Sequence, residues 1–267
     1  MVHVLELLAI NAGISAACFI GLWLIGIGLK DVTFIDSYWA LGMVILAGAS
    51  FLLTGAPTPH RLALLVLCAV WGLRLGGYLL WRWRSHGPDR RYRTMLGKAQ
   101  TERGWGFARS SLLLVFALQA PLQFVVGLPV MLGQAVPNPS PLGPLAFAGI
   151  ALAVVGILFE TIGDAQLTLF KADEANKGKV MDKGLWRFTR HPNYFGDACV
   201  WWGLFLVAAE MPFGVWSLPG PVLITFLLTR WSGVPTTEGR MRRTKPDYEA
   251  YVARTSGFVP WFPKKAA

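Results

Sequence analysis

Charge is scarce in this sequence. Only 15% of its 267 residues are Asp, Glu, Lys or Arg, against roughly a quarter in an ordinary soluble domain. With 54% of residues hydrophobic and a mean hydropathy of +0.47, this shortage excludes a disordered chain and argues against a soluble globular one. Cysteine is scarcer still. Cys18, Cys68 and Cys199 are odd in number, lie in apolar stretches and lack metal-ligand spacing, so a disulfide framework and a zinc site are excluded and the three read as small core residues. No Gly-x-Gly-x-x-Gly follows a predicted strand, which excludes a Rossmann dinucleotide site. No nucleic-acid-binding module accompanies the basic residues, so nucleic acid is not an expected partner.

What is present in quantity is long apolar sequence. No charge occurs from Leu7 to Leu29, and none over the fifty residues 110–159, which are interrupted only by the proline-rich turn 136–141. A bilayer core needs roughly 20 apolar residues per helical crossing. That rule gives spans over 4–29, 33–54, 61–82, 110–133, 143–170, 194–211 and 216–233, followed by a tail over 234–267. The fold class predicted is all-α: a polytopic membrane bundle of about seven transmembrane helices forming a single membrane domain. The first span is too long and too poor in N-terminal basic residues for a cleaved signal peptide.

The basic residues then set the orientation. Of the 25 Lys and Arg, 23 fall on one side of a seven-span alternation, and the opposite loops 134–142 and 212–215 carry none. This places the N-terminus outside and the C-terminus in the cytoplasm, in the inner (plasma) membrane if the chain is bacterial. Twelve Trp, among them Trp81, Trp83, Trp105, Trp186 and Trp231 near span ends, suit interface anchoring. The net charge of +10 exceeds what orientation needs, and the surplus suits a polyanionic ligand or anionic lipid heads.

Ionisable side chains at membrane depth cost roughly 2.5 to 3.5 kcal/mol each on insertion scales, so each marks a functional candidate. Here they are Asp36, Arg74, Glu160, Asp164 and Asp197. Arg74 and Tyr78 share a helix face, as do Glu160 and Asp164. The densest cluster runs from Gly184 to Asp197 and contains Arg187, Arg190, His191, Pro192, Asn193 and Tyr194. Pro192 suits a first helical turn, and from that start Asn193, Asp197 and Trp201 form one stripe entering the membrane. A helix start flanked by Arg187, Arg190 and His191 suits an anion. A third group, Arg230 to Arg240, Pro246 to Tyr251 and Thr255 to Pro263, has too many aromatic residues and prolines for a solvated tail.

These residues carry a resemblance. The chain resembles the DUF1295 family of the steroid 5α-reductase C-terminal superfamily, and more distantly the isoprenylcysteine carboxyl methyltransferases. The matching positions are Asp36 with Trp39, Trp71 to Arg74, Asp164 to Gln166, Gly184 to Asp197 with Trp201, Trp202 and Gly203, Glu238, and the tyrosine and Phe258-Val259-Pro260 tail. The resemblance implies a membrane oxidoreductase that takes NADPH from the cytoplasm and reduces an activated C=C bond of a lipid-like substrate from the bilayer. It places polar cofactor contacts at Asp164, Lys171, Arg187, Arg190, His191, Asn193, Asp197, Glu238, Tyr248 and Arg254, and implies no metal. Position 197 holds Asp where relatives usually carry Glu. Trp71 stands where steroid reductases place a tyrosine near the substrate carbonyl, a departure that bears on whether the substrate is a steroid.

Hydride addition to an enone needs an acid at the carbonyl oxygen as the enolate forms. Asp36 is the candidate, because desolvation favours its neutral form. Tyr78, beside Arg74, is the alternative. Two other functions remain open: an S-adenosylmethionine-dependent methyltransferase acting on a lipid or prenylated substrate, and a non-catalytic lipid-binding or transport protein. The excess of basic residues favours NADPH over the cationic sulfonium cofactor. The absence of an internal repeat argues against a transporter. The sequence leaves the oligomeric state open, since small-residue patterns such as Gly72 to Gly76 serve packing within one chain equally well.

Overall fold

The computed structural model describes residues 3–55, 57–138 and 140–264; Pro139 of the proline-rich turn and Lys265 of the basic tail lie outside them. Among the described residues every regular element is helical. Five helices are long and apolar enough to cross a membrane. They are α1 (Val4–Leu29), α2 (Ile35–Leu53), α3 (Pro59–His86), a helix over Phe107–Val126 and another over Pro144–Ala172. Between α3 and the fourth of these lies α4 (Arg90–Arg103). The others become α5 (Phe107–Val126), α6 (Leu128–Leu132) and α7 (Pro144–Ala172). Then come α8 (Pro192–Ala209), α9 (Pro219–Phe226), α10 (Val234–Thr244) and α11 (Tyr248–Arg254).

The sequence places a sixth and a seventh span at 194–211 and 216–233. The structure puts an 18-residue helix, α8, at the first and the eight-residue α9 at the second. A π turn over Leu227–Trp231 continues α9. Asn193 and Asp197 dilute the apolar content of α8, and Gly233 ends the last segment. Neither joins the five in length and apolarity.

The chain falls into two compact units: Met1–Phe147 with Leu204–Gly220, and Ala148–Gly203 with Pro221–Ala267. In the first, α2 and α3 meet where Gly72 and Gly76 stand. A Cβ on Gly72 would lie 2.8 Å from the Ala40 carbonyl, and one on Gly76 3.1 Å from that of Ser37, so these glycines serve packing within the chain. Buried polar side chains join the helices. Asn11 of α1 donates to Ser50 of α2 at 3.1 Å, and the Gln123 amide of α5 donates to the Trp39 carbonyl at 3.0 Å. Arg61, fully buried, donates to the Gly55 carbonyl at 2.9 Å and lies over the Phe51 ring. Phe19, Ile35, Val115 and Phe116 form an apolar core with Leu96 of α4. Pro121 of α5 has no N–H for the Ala117 carbonyl, and just upstream the helix widens into a π turn over Leu112–Phe116. At the start of α7 the Glu210 carboxylate accepts from the Gly143 and Ala146 amides, both at 2.9 Å, and meets the buried His60 at 2.7 Å.

α4 replaces what reads in sequence as a basic loop. Asp89 caps it by accepting from the Arg91 amide at 2.8 Å, and Gly104 ends it in the left-handed region at φ +63°. Leu96 and Ala99 are buried while Arg90, Arg93, Lys98 and Arg103 are exposed, the pattern of a helix lying along an interface.

In the second unit α7 and α8 cross at glycines spaced by seven. A Cβ on Gly196 would sit 2.5 Å from the Gly156 carbonyl, and one on Gly203 the same distance from that of Gly149. Backbone against backbone is the closest approach two helices make, and only a missing Cβ allows it. Cys18, Cys68 and Cys199 are free thiols.

Candidate functional site

The second unit gathers four of the expected residues into one cluster where α8 begins. Pro192 opens that helix, and the two residues before it turn toward α10. The Arg190 Nε donates to Glu238 Oε1 at 2.8 Å, and His191 Nε2 lies 3.2 Å from the same oxygen. His191 and Glu238 are both buried. The His191 ring stacks on Tyr194 with centroids 5.2 Å apart. Tyr248 is buried beside the pair. Burial, reinforced by the Glu238 charge, pushes its phenol up to about 12. The Glu238 carboxyl is held down at about 2 by its hydrogen bond with His191, which together with the Arg190 guanidinium outweighs burial.

Arg190 has further duties. Its Nη1 donates to the Thr255 carbonyl at 2.7 Å, and its backbone amide donates to the Ser256 carbonyl at 2.9 Å. Tyr251, buried in α11, donates its hydroxyl to the Trp186 carbonyl at 2.5 Å. The segment 184–191 and the C-terminal helices are thus locked together through buried polar contacts, which explains the many aromatic residues of the tail.

One step along α8 the Asn193 amide donates to Asp164 of α7 at 3.2 Å, and Asp197 follows one turn later on the same face. Asn193, half-buried, and Asp164, buried, form a second polar station. Gln166 of α7 accepts from the Leu185 amide at 3.0 Å, and the Trp186 indole donates to the Gly163 carbonyl at 3.0 Å. Both contacts fix the segment leading into α8.

The remaining expected cofactor residues divide by exposure. Arg187, in a short 3-10 turn, and Lys171, in the last turn of α7, are exposed. Arg254 is ion-paired with Asp182 at 2.5 Å. Arg190 and Arg254 therefore each spend charge on a carboxylate of this chain, a use that spacing along the sequence does not reveal.

The expected catalytic residues belong to the first unit. Asp36 stands in the first turn of α2, and Arg74 and Tyr78 lie one turn apart on α3. Tyr78 stacks on Trp81 with centroids 6.0 Å apart. The Asp36 carboxylate accepts from the Tyr92 hydroxyl at 2.6 Å and from the Arg91 guanidinium at 3.0 Å. Tyr92 also accepts from the Gln119 amide at 3.2 Å. Burial and the Asp36 charge raise the Tyr92 phenol well above its ordinary range. Asp36 thus accepts from both Arg91 and Tyr92. Tyr92 does not stand out in the sequence. The usable signal is Asp89, which caps α4 and so fixes where Arg91 and Tyr92 point.

The same corner is braced by Asp31. It accepts from the Thr33 hydroxyl at 2.7 Å and the Trp83 indole at 2.7 Å, while Thr33 accepts from the Asp89 amide at 2.9 Å. Asp31, Thr33, Trp83 and Asp89 thus tie the loop before α2 to α3 and to the N-cap of α4, the helix that carries Arg91 and Tyr92.

A family model described as "Protein of unknown function (DUF1295)" matches residues 22–255. No curated protein and no solved structure matches the chain.

Proposed function

The chain belongs to the DUF1295 family, and from that premise and the geometry above we propose a membrane-embedded, NADPH-dependent reductase. It would transfer a hydride to an activated C=C bond of a lipid-like substrate. The observation that carries the reading is the start of α8. There a buried His191 and Arg190 grip Glu238 while Asn193 donates to Asp164, in a unit whose Lys171, Lys179, Lys183 and Arg187 are exposed. Such a donor set fits a cofactor with a pyrophosphate and a 2′-phosphate, because Arg and Lys give charge-assisted phosphate contacts. With Arg190 and Arg254 engaged by Glu238 and Asp182, those contacts fall to Arg187, Lys179 and Lys183. The Asn193 and Asp164 pair would hold a polar, uncharged part of the ligand.

NADPH, when bound, supplies the hydride. The chain's own share is to bind and orient it and to hold a proton for the carbonyl oxygen of the substrate. Tyr92 is suited to that second task, since its hydroxyl donates to Asp36 and Asp36 is itself steadied by Arg91. Donors aimed at developing negative charge are the usual source of enolate stabilisation.

In this reading the chain crosses the bilayer seven times, with α8 and α9 plus its π turn as the last two crossings. The N-terminus is outside, and α4, α10 and α11 are cytoplasmic. Fusing reporters to loops 134–142 and 171–190 checks the topology: periplasmic signal from the first and cytoplasmic signal from the second are expected.

A second reading, an S-adenosylmethionine-dependent methyltransferase, is favoured by the three carboxylates Asp164, Asp197 and Glu238 in one unit, which suit a cationic cofactor. Thermal melting of the purified protein in detergent separates the two. NADPH should raise the melting temperature and S-adenosylmethionine should leave it nearly unchanged, and Asn193→Ala should abolish the NADPH effect. Stabilisation by S-adenosylmethionine alone overturns the reductase reading.

A further inference from the structure

The segment after α11 is pinned in place yet turns its largest side chains outward. The Trp261 amide donates to the Phe188 carbonyl at 2.9 Å, and the Lys264 amide donates to the Arg254 carbonyl at 2.9 Å. The Thr189 hydroxyl donates to the Phe258 carbonyl at 2.8 Å. These bonds fix the backbone, so the apolar side chains cannot fold away from water by moving it. Even so, Val259 is 59% exposed, Trp261 72% and Phe262 77%. An apolar patch held open in this way marks an interaction surface.

Two cavities flank the segment and share Trp261 and Phe262 as a common wall. The first, of about 260 Å³, is lined by Phe159, Leu185, Phe188 and Pro260 as well as the shared pair, and is almost wholly apolar. Phe159 lies on α7, one of the five long apolar helices, five residues before Asp164. The charge-free stretch 110–159 ends at this residue, and Glu160 follows it. The second cavity, of about 380 Å³, is lined by Arg190, Arg254, Lys264 and Ser256 beyond the shared wall. Glu238 and Asp182 meet the two arginines, and the exposed Lys264 leaves the cavity with a positive excess.

An apolar groove beside a helix long and apolar enough to cross a membrane, adjoining a cationic pocket across one shared aromatic wall, has the polarity of one amphiphile: a hydrocarbon chain joined to an anionic head. We infer that the segment Val259 to Lys264 is a seat for an anionic phospholipid of the bilayer, with its acyl chain along Phe159, Phe188 and Phe262 and its phosphate in the pocket of Lys264 and Arg254. Aromatic side chains at the headgroup level and a neighbouring cation are the residue types that hold a chain at an anionic leaflet. The occupant could not be a neutral lipid without leaving the cation unused, nor a free anion without leaving the groove empty. The seat places a lipid against the segment that Arg190 and Tyr251 lock to the start of α8, and does not depend on hydride chemistry.

The test uses the full chain in neutral detergent. Melting temperature is followed as phosphatidylglycerol, phosphatidylcholine or inorganic phosphate is added, and retained lipid is counted by native mass spectrometry. Phosphatidylglycerol should stabilise and be retained, with little effect from the other two. Lys264→Glu and the pair Trp261→Ala, Phe262→Ala should each weaken that effect about tenfold, through lost headgroup attraction and lost apolar contact respectively, and should melt as the parent does without lipid. Equal stabilisation by phosphatidylcholine overturns the proposal, as does an equal effect of inorganic phosphate or an undiminished effect in the variants. Loss of the phosphatidylglycerol effect on adding NADPH also overturns it, since the cationic pocket would then belong to the cofactor. NADPH stabilisation without lipid is read in the same apparatus, so failure of the lipid seat and failure of the reductase reading are distinguishable. Should the variants not survive purification, phosphatidylglycerol carrying a photoactivatable acyl end must label the parent at peptides containing Phe159 or Phe188. Labelling confined to other helices counts against the seat.

Discussion

Arg190 and Glu238 lie 48 positions apart in sequence and 2.8 Å apart in space. Their contact joins the start of α8 to α10, and because the same guanidinium also reaches the Thr255 carbonyl at 2.7 Å, it fastens the end of α11 as well. One side chain therefore organises three segments. A single buried ion pair of this kind contributes less by its own attraction than by what its loss would leave exposed or unpaired.

The pH dependence of that clamp has a definite sign. Glu238 titrates near 2 in the folded chain against an ordinary 4.5, so the folded state binds fewer protons than the unfolded one. Its stabilisation is complete above about pH 4.5 and is lost as pH falls toward 2. Glu238→Gln should flatten the melting profile across that window in detergent. An unchanged slope between pH 4.5 and 2 would show that Glu238 is not the group responsible.

Arg190→Ala should be the most damaging single change in the second unit. It leaves the buried Glu238 without its guanidinium and the Thr255 carbonyl without its donor, a loss of about 3–5 kcal/mol by analogy with other broken buried pairs. Arg190→Lys keeps the charge but not the planar fork, and should recover only part of the loss. Limited proteolysis reads the outcome directly: cleavage between residues 245 and 264 should be fastest in the alanine variant and intermediate in the lysine variant. Cleavage at the parental rate in both would mean that Arg190 does not fasten the tail.

How much of this could be read from sequence differs by element. The limits of α1, Val4–Leu29, coincide with the expected 4–29 because no proline interrupts the run and no charge follows Glu6 until Lys30. α4 was hidden because its charges outweighed its caps, Asp89 and Gly104, which are local and readable once looked for. The seventh span reads as one apolar run over 216–233, but the chain breaks it into a 3-10 turn at Gly214–Ser217, the helix α9 and a π turn. Pro219 and Gly233 stand near its breaks. At the site, His191 and Glu238 each stand out by motif, but their contact across 47 positions does not. Nor does that of Asp36 with Tyr92, because a contact across 56 positions leaves no periodic trace.

If Tyr92 holds the proton for the substrate, Tyr92→Phe should lower turnover of a conjugated enone lipid about 100-fold, the scale of a lost general acid. Asp36→Asn should lower it similarly, by removing the acceptor that orients the phenol. Neither change should alter stabilisation by NADPH, since neither residue is among the proposed cofactor contacts. NADPH oxidation followed at 340 nm is about the most direct readout of the turnover step. Full activity in Tyr92→Phe assigns the acid elsewhere, with Tyr78 next to be tried.

The helix crossing supplies a prediction that owes nothing to function. A Cβ at Gly196 would stand 2.5 Å from the Gly156 carbonyl and 2.7 Å from the Glu160 amide. Both are helix backbone, which cannot yield as a flexible side chain would. Gly196→Ala should therefore force α7 and α8 apart at a cost of about 1–3 kcal/mol, the range for overpacking. Gly77 is the matched control, a helical glycine of α3 with nothing within 4 Å of where a Cβ would be. There the same substitution removes only glycine's helix penalty and should be neutral or stabilising by roughly 0.5–1 kcal/mol. Comparing the melting temperatures of the two variants in one detergent cancels the effect of the solvent. Equal behaviour would mean that α7 and α8 do not meet backbone to backbone, and the placement of Asp164 beside Asn193 would lose its structural basis.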